Sequence, residues 1–520
     1  MVPPLSCHGG NSSETSPIQK DKSRLLNFNW ASNHKNYSRR GMSKIFKVIT
    51  STGRQRGMSF RELGFSLICG VITASTFGTA AAAPAISSKA LGAKPSPEVP
   101  KYVSTVKEWG ERYNFTQSTE ELDWLLLGFQ TRVRVENFNN FYRRPELPSD
   151  GGSFYRQWFY LGIKDIIDPL RFTLELEDSR RGDFDNFPFS ARQDNHFDFL
   201  QAYAELYFDD GLFGQPTSFQ VGRFSFDAVD RRLIARNRFR NSANTFDGVR
   251  LRFGDDKAPW TATVFATRPV EARGGSFDDR SREERSFYGG YATIRTNSPA
   301  LVIEPYYFYL DDERNPARER KLHTAGAHVF GQFGDGYDYD FTGTAQWGDL
   351  NGLDHFAYFF HAEVGRTFDH PWKPRLSAWL NYGSGDKDAN DGDSGRFTEL
   401  FGAPFGLYGF TRYFTAENTI SPVLGLSFKP TDDVKVELYL RSHSLASDND
   451  AWVRGAGRID TAGDSGRHIG EEIDLRVRWQ ATPRLLFNTG VAHFMPGSFV
   501  DETGLSENST LVYFQGRFDF

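Results

Sequence analysis

The chain closes on Thr510–Phe520, TLVYFQGRFDF. Val512, Phe514, Gly516, Phe518 and the terminal Phe520 fall on one face of an extended strand, and Tyr513, Gln515, Arg517 and Asp519 on the other. Successive side chains of a strand point to opposite faces, so this strand has one greasy side and one wet side. A wall between lipid and water needs that pattern. A half-buried edge strand of a soluble sheet would share it, so the rest of the chain has to decide.

The same register returns along the chain. In Leu125–Glu136 the residues Leu125, Leu127, Phe129, Thr131, Val133 and Val135 oppose Gln130, Arg132, Arg134 and Glu136. Phe172, Leu174 and Leu176 oppose Glu175 and Glu177, and Leu200, Ala202, Ala204, Leu206 and Phe208 oppose Gln201, Tyr203 and Glu205. Tyr337 to Trp347 alternates with Asp338, Asp340, Thr342, Thr344 and Gln346. Val434, Val436, Leu438 and Leu440 oppose Lys435, Glu437, Tyr439 and Arg441, while Ile469, Ile473, Leu475, Val477 and Trp479 oppose Glu472, Asp474, Arg476, Arg478 and Gln480. A soluble β-sandwich would need a polar exterior on every strand, whereas the faces left for the outside here are aromatic and aliphatic. Trp347, Trp379 and Trp479 near strand ends are expected in interfacial girdles.

The expected fold is therefore all-β, a transmembrane antiparallel β-barrel of about 18 strands, from roughly 400 strand-forming residues at about 22 per strand and its connectors. Short connectors such as Lys429–Asp433 would face the periplasm, and long acidic ones such as Ser384–Ser394 and Ala446–Gly466 the outside. A barrel ending on an aromatic residue resembles the outer-membrane proteins of Gram-negative bacteria, so the expected location is that outer membrane. The expected partners are the lipid bilayer, lipopolysaccharide and, through Phe520, the barrel-assembly machinery.

The start of the chain reads differently. Arg54, Arg56 and Arg61 precede the apolar run Leu63–Phe77 and the small residues Thr79 to Ala83, the layout of a secretory signal peptide. A membrane anchor is the alternative, but the apolar run is short and closes on alanines. The expected organisation is residues 1–83 as N-terminal extension and cleaved signal, with Met1, Met42 or Met58 as the start, 84–121 as a periplasmic leader, and 122–520 as the barrel. Cleavage near Ala82 or Ala83 removes both cysteines, Cys7 and Cys69. This argues against a disulfide scaffold or a cysteine metal site.

Residues 1–83 hold 11 of the 61 Lys and Arg and 3 of the 66 Asp and Glu, leaving 50 basic and 63 acidic residues and a net charge of −13. No nucleic-acid partner is expected from that balance. Within the basic set 39 are Arg and only 11 Lys. Arg pairs carboxylates through a planar fork, whether those belong to the wall or to a solute.

Three stretches resemble one family. Phe219–Leu251 (FQVGRFSFDAVDRRLIARNRFRNSANTFDGVRL), Pro371–Gly409 (PWKPRLSAWLNYGSGDKDANDGDSGRFTELFGAPFGLYG) and Gly326–Asp349, containing VFGQFGDGYDYDFTGTAQWGD, are similar to segments of the alginate export family, in the same order. The resemblance runs from about Leu122 to Phe520 and implies a monomeric 18-stranded barrel whose arginine-rich lumen passes an anionic polysaccharide. The family's wider membership includes porin-like proteins. Where much of the family has Gly-Arg-Gln and an acidic residue, this chain has Gly222, Arg223, Phe224 and Ser225. The resemblance thus supports the barrel more strongly than it supports alginate.

The densest basic cluster is Arg223, Arg231, Arg232, Arg236, Arg238, Arg240, Arg250 and Arg252. By alternation Arg236, Arg238 and Arg240 share a face, as do Arg250 and Arg252. With Arg132, Arg134, Arg441, Arg476 and Arg478 they are the candidate pore-lining path for an anionic saccharide, several weak sites in series. The competing reading is that Asp227, Asp230, Asp247 and the luminal acids neutralise them. Asp386, Asp388, Asn390, Asp391 and Asp393 miss the spacing of a calcium loop and read as a solvated loop able to fold over the pore. His361, His443 and His493 lie on strands with no nucleophile elbow beside them, so no catalytic, cofactor or metal site is assigned. The function expected is a pore for export or facilitated diffusion of an anionic poly- or oligosaccharide, with a nutrient-uptake porin as the alternative and a barrel-embedded hydrolase behind both.

Overall fold

Eighteen long strands hydrogen-bond in chain order, and the last returns to the first. They are β1 (Leu125–Asn139), β2 (Asp150–Ile167), β3 (Leu170–Gly182), β4 (Asn195–Phe208), β5 (Thr217–Phe224), β6 (Phe246–Phe253), β7 (Trp260–Glu271), β8 (Arg285–Arg295), β9 (Val302–Asp312), β10 (Arg320–Phe333), β11 (Tyr337–Leu350), β12 (Leu353–Thr367), β13 (Arg375–Gly383), β14 (Thr419–Thr431), β15 (Val434–Ser444), β16 (His468–Gln480), β17 (Leu485–Pro496) and β18 (Ser509–Asp519). The computed structural model describes residues 99–107 and 122–520, apart from 145–148, 183, 185–189, 257, 297–299 and 316–318. The expected signal peptide and the rest of the expected N-terminal extension lie outside the described residues.

Every neighbouring pair is antiparallel, and β1 meets β18 from Gln130↔Asp519 to Asn139↔Thr510. The ring has no free edge, which is what a sheet needs where no water can satisfy unpaired backbone groups. Connectors alternate: those at the end holding Leu125 and Phe520 are short, as at Thr431–Val434, and those at the other are mostly long. Outer-membrane barrels keep their short turns in the periplasm.

Alternation sorts the wall as expected. Val133, Val135, Phe172, Phe341, Leu475, Val512 and Phe514 are exposed on the outside, while Arg132, Arg134, Glu136, Glu175, Asp340, Glu472 and Tyr513 are buried in the lumen. Two expected outward residues turn inward. Leu200 and Ile469 are buried because each is the unpaired residue of a β-bulge, where the ladder passes from Phe199 to Gln201 and from His468 to Gly470. Trp379 is a third correction. Its ring faces the lumen, 5.4 Å from that of Tyr439 and under the Arg441 guanidinium, and not an interfacial girdle. Trp479 does lie on the outer face.

Part of the expected leader is seated on the barrel. Val103, Ser104 and Thr105 pair antiparallel with Gly128, Leu127 and Leu126. Just above that step Phe520 exchanges backbone hydrogen bonds with Phe129, 2.7 and 3.1 Å long. Tyr102 turns into the lumen, packs 6.1 Å from Trp158 and donates its hydroxyl hydrogen to Glu175.

Candidate functional site

Two long loops fold back into the barrel from its long-loop end, residues 225–245 between β5 and β6 and residues 384–418 between β13 and β14. The wall they meet is unusually aromatic: Phe224, Phe246, Phe265, Phe287 and Phe308 all point inward and are buried. Each such side chain gains about 1.5–3 kcal/mol on leaving water, so apolar loop residues are drawn against them. Ile234, Phe397, Tyr408, Phe410, Tyr413 and Phe414 supply that partner surface.

The loops also bind each other. Ala235 and Phe401 donate backbone N–H groups to Phe401 O and Leu233 O at 3.0 and 2.8 Å, and Ala403 donates to Arg231 O at 3.1 Å. Phe239 lies flat on Phe405, centroids 3.3 Å apart. Together they form a shelf across the lumen.

This corrects the reading of Arg236, Arg238 and Arg240 as one face of a strand. They sit on the irregular 225–245 loop, where turns with positive φ at Val229, Arg231 and Asn237 replace alternation. Arg236 grips both Glu175 oxygens at 2.9 and 3.0 Å, Arg238 pairs with Asp227 at 2.7 Å, and Arg240 donates to Ser242 O and Asn244 Oδ1. Arg223 and Arg232 pair with Asp247 and Asp230. The acids named as neutralising partners therefore fill that role in this cluster.

The strand arginines do face the lumen, but most are engaged. Arg132 donates to Arg238 O at 2.6 Å and Asn241 Oδ1 at 2.8 Å, and Arg134 pairs with Glu136 at 2.7 Å. Arg250 donates to Gln220 Oε1 at 2.8 Å, and Arg252 follows it on β6. Arg441 pairs with Asp474 at 2.8 Å, and Arg476 and Arg478 share Glu437 at 2.6 and 3.0 Å. These positions form no open ladder.

The open cationic space lies above the shelf, in a cavity of about 460 Å³. Arg134, Arg143, Arg192, Arg240, Arg285, Arg314, Arg412 and Arg454 line it, against the carboxylates Glu271, Asp279 and Glu399. Of the candidate path only Arg134 and Arg240 reach it. Arg412 pairs with Glu136 at 3.0 Å, Arg454 with Glu399 at 2.6 Å, and Arg285 and Arg314 with Asp312 at 3.2 and 2.7 Å. Among the described residues no carboxylate pairs with Arg143, Arg192 or Arg240, and the first two keep exposed surface. Burial and the Arg192 charge hold Arg240 down to about 9, a guanidinium under repulsion yet still charged at neutral pH. The six arginines that alternation missed lie on loops or at strand ends. No periodic signal in the sequence marks them.

Close to this cavity the Glu417 carboxyl is pushed up to about 7 by burial and by the Glu399 carboxylate. Burial and the Asp198 carboxylate likewise push Asp279 up to about 7. The Asp388–Asp393 segment is exposed, with Asn390 and Asp393 N–H groups donating to Asp388 and Asp391, so it is a solvated turn. The rest of that long connector enters the lumen. His361 Nδ1 meets Asn381 Oδ1 at 2.7 Å, His443 stacks on Phe414 at 3.4 Å, and His493 Nδ1 meets Thr510 Oγ1 at 2.9 Å. None of these three histidines is paired with a serine–carboxylate set.

The family model described as alginate export matches residues 123–514. No curated protein sequence matches this chain. In the solved structures the barrel is similar to the outer membrane protein opdK from Pseudomonas aeruginosa, with a TM-score of 0.52 and 11% identity over 76% of this chain and 98% of that one. A structure of OpdK with vanillate from the same organism aligns at 0.51 and 11%, over 76% and 98% of the two chains. OccK8 (OprE), also from Pseudomonas aeruginosa, aligns at 0.50 and 14% over the same shares.

Proposed function

This chain belongs to the alginate export family and forms an outer-membrane pore, a transport channel, and from that premise we propose that the pore carries an anionic, carboxylate-bearing saccharide. The supporting observation is the trio Arg143, Arg192 and Arg240, guanidiniums without a carboxylate partner among the described residues around one cavity. Guanidiniums without a carboxylate partner attract carboxylates, and transient bidentate pairing allows release. The cell would be Gram-negative and the pore a monomer.

The size of the cavity, about 460 Å³, favours a second reading as an uptake porin for a small carboxylate. Vanillate, held in the OpdK structure, is a solute of that chemistry.

Single-channel recording in planar bilayers tests both. Oligouronates should block the wild-type pore, and block should weaken about tenfold in an Arg143→Gln, Arg192→Gln, Arg240→Gln variant at low salt. At about 1 M salt, where screening acts within ~3 Å, the two should converge. Block that strengthens with oligomer length supports the polymer, and block by monomeric carboxylates alone supports uptake. Equal block by neutral oligosaccharides would defeat both.

A further inference from the structure

At the long-loop rim β4 faces the 272–284 loop, and Asp198, Asp278 and Asp279 bring three carboxylate oxygens within 4.8 Å of one another. Backbone geometry accounts for only part of this convergence. Asp198 Oδ2 accepts the Asp278 and Asp279 N–H groups at 2.9 Å each, and Asp279 Oδ1 accepts Arg273 N–H at 2.6 Å. Two further oxygens are left over. Asp278 Oδ1 and Asn195 Oδ1 are buried without a hydrogen-bond partner among the described residues. Asn195 is only 2% exposed and belongs to the same cluster, since its amide nitrogen donates to Asp279 Oδ2 at 2.7 Å.

Buried oxygens without donors, on two side chains that belong to a cluster of three carboxylates, are what a hard cation would satisfy. We propose that Asp198, Asp278, Asp279 and the Asn195 amide oxygen form a divalent-cation site, of the all-oxygen kind that calcium takes. Turning the Asn195 amide by half a turn exchanges the donor now aimed at Asp279 for a ligand oxygen. Waters complete the shell. The nearby cation Arg223 fills that role only in part. It pairs with Asp198 Oδ1 at 3.6 Å and donates to the Asp279 main-chain oxygen at 3.1 Å, but gives its Nε and Nη2 to Asp247 at 2.7 and 3.1 Å and reaches neither Asp278 nor the Asp279 carboxylate.

Asp279 also lines the arginine cavity. A bound dication would add positive charge at its edge and tie the 272–284 loop to the barrel wall, so rim occupancy would set how strongly the cavity draws anions.

The test is calorimetric titration of calcium chloride into the full-length barrel, refolded in lipopolysaccharide-free detergent and stripped with chelator. One saturable site is expected. Asp278→Asn removes a charge from a carboxylate whose Oδ1 has no hydrogen-bond partner among the described residues, and it should weaken binding at least tenfold, with folding checked by heat-modifiable migration. Asp388→Asn with Asp391→Asn, in the exposed acidic turn, should leave the site unchanged. Absence of saturable binding to the wild type overturns the proposal, as does unaltered binding to Asp278→Asn or loss of binding in the Asp388, Asp391 variant.

Discussion

Arg132, on the wall, donates through Nη1 to the main-chain carbonyl of Arg238, on the inward loop, at 2.6 Å. One cation thus carries the backbone that presents another. Arg156 adds a bond to the same carbonyl at 2.9 Å. The wall guanidiniums near this loop act as brackets for the shelf, and the charge offered to a solute is on the shelf and its rim.

Loosening a bracket should widen the pore. A charge-assisted hydrogen bond contributes roughly 1.5–3 kcal/mol, so Arg132→Gln should shift the loop toward release by about one to two powers of ten. Single-channel traces should show added high-conductance openings. Traces identical to wild type would mean that the loop's other contacts, Arg156 among them, seat it without this bond.

Acidity should tune selectivity. Glu417 and Asp279 titrate near 7 because burial and a neighbouring carboxylate oppose their ionisation. Folded-state values above the unfolded ones mean that protonation stabilises the loops, an effect present at low pH and lost as pH rises from about 4 to 7. The same protonation deletes negative charge beside the arginines. Reversal potentials measured in chelator should therefore become more anion-selective from pH 8 to pH 6. In a Glu417→Gln, Asp279→Asn variant the profile should be flat; a persisting slope would place the titrating group elsewhere.

Assembly should depend on the last residue. Deleting Phe520 removes both backbone bonds to Phe129, while Arg517→Gln removes only a local pairing with Asp519 at 2.9 Å. Barrel yield, read as heat-modifiable protein in membranes, should fall several-fold in the first and little in the second. Equal yields would contradict the closure described for β1 and β18.

Gly222 holds φ at +133°, and a Cβ there would meet Ala202 O at 2.3 Å. Gly222→Ala should cost about 1–3 kcal/mol, seen as a lower urea midpoint for unfolding from detergent. An unchanged midpoint would show that β4 yields freely at this point.

Most of the wall was legible because a period of two is a local property. Val133 and Arg132 need no knowledge of distant residues to take opposite faces. Leu200, Ile469 and Trp379 went astray for another reason: a bulge shifts parity by one, and an inward tryptophan needs its luminal partners Arg441 and Tyr439 to be known. The site was less legible still. Arg236, Arg238 and Arg240 alternate in sequence, but the segment has no strand to pair with and folds by packing Ile234 and Phe239 against residues more than 160 positions away. Arg143, Arg192 and Arg454 reach the cavity through loop geometry, which leaves no periodic trace.

The seam has a consequence for chain length. Val103 takes the place opposite Gly128 that a residue after Phe520 would take, and Ser104 and Thr105 take the next two, running in the same direction as β18. One lane of the sheet is thus assembled from both ends of the described chain. A tail added beyond Phe520 would compete for these three places. Tail and N-terminal segment are mutually exclusive tenants, and whichever wins decides whether Tyr102 stays anchored beside Glu175.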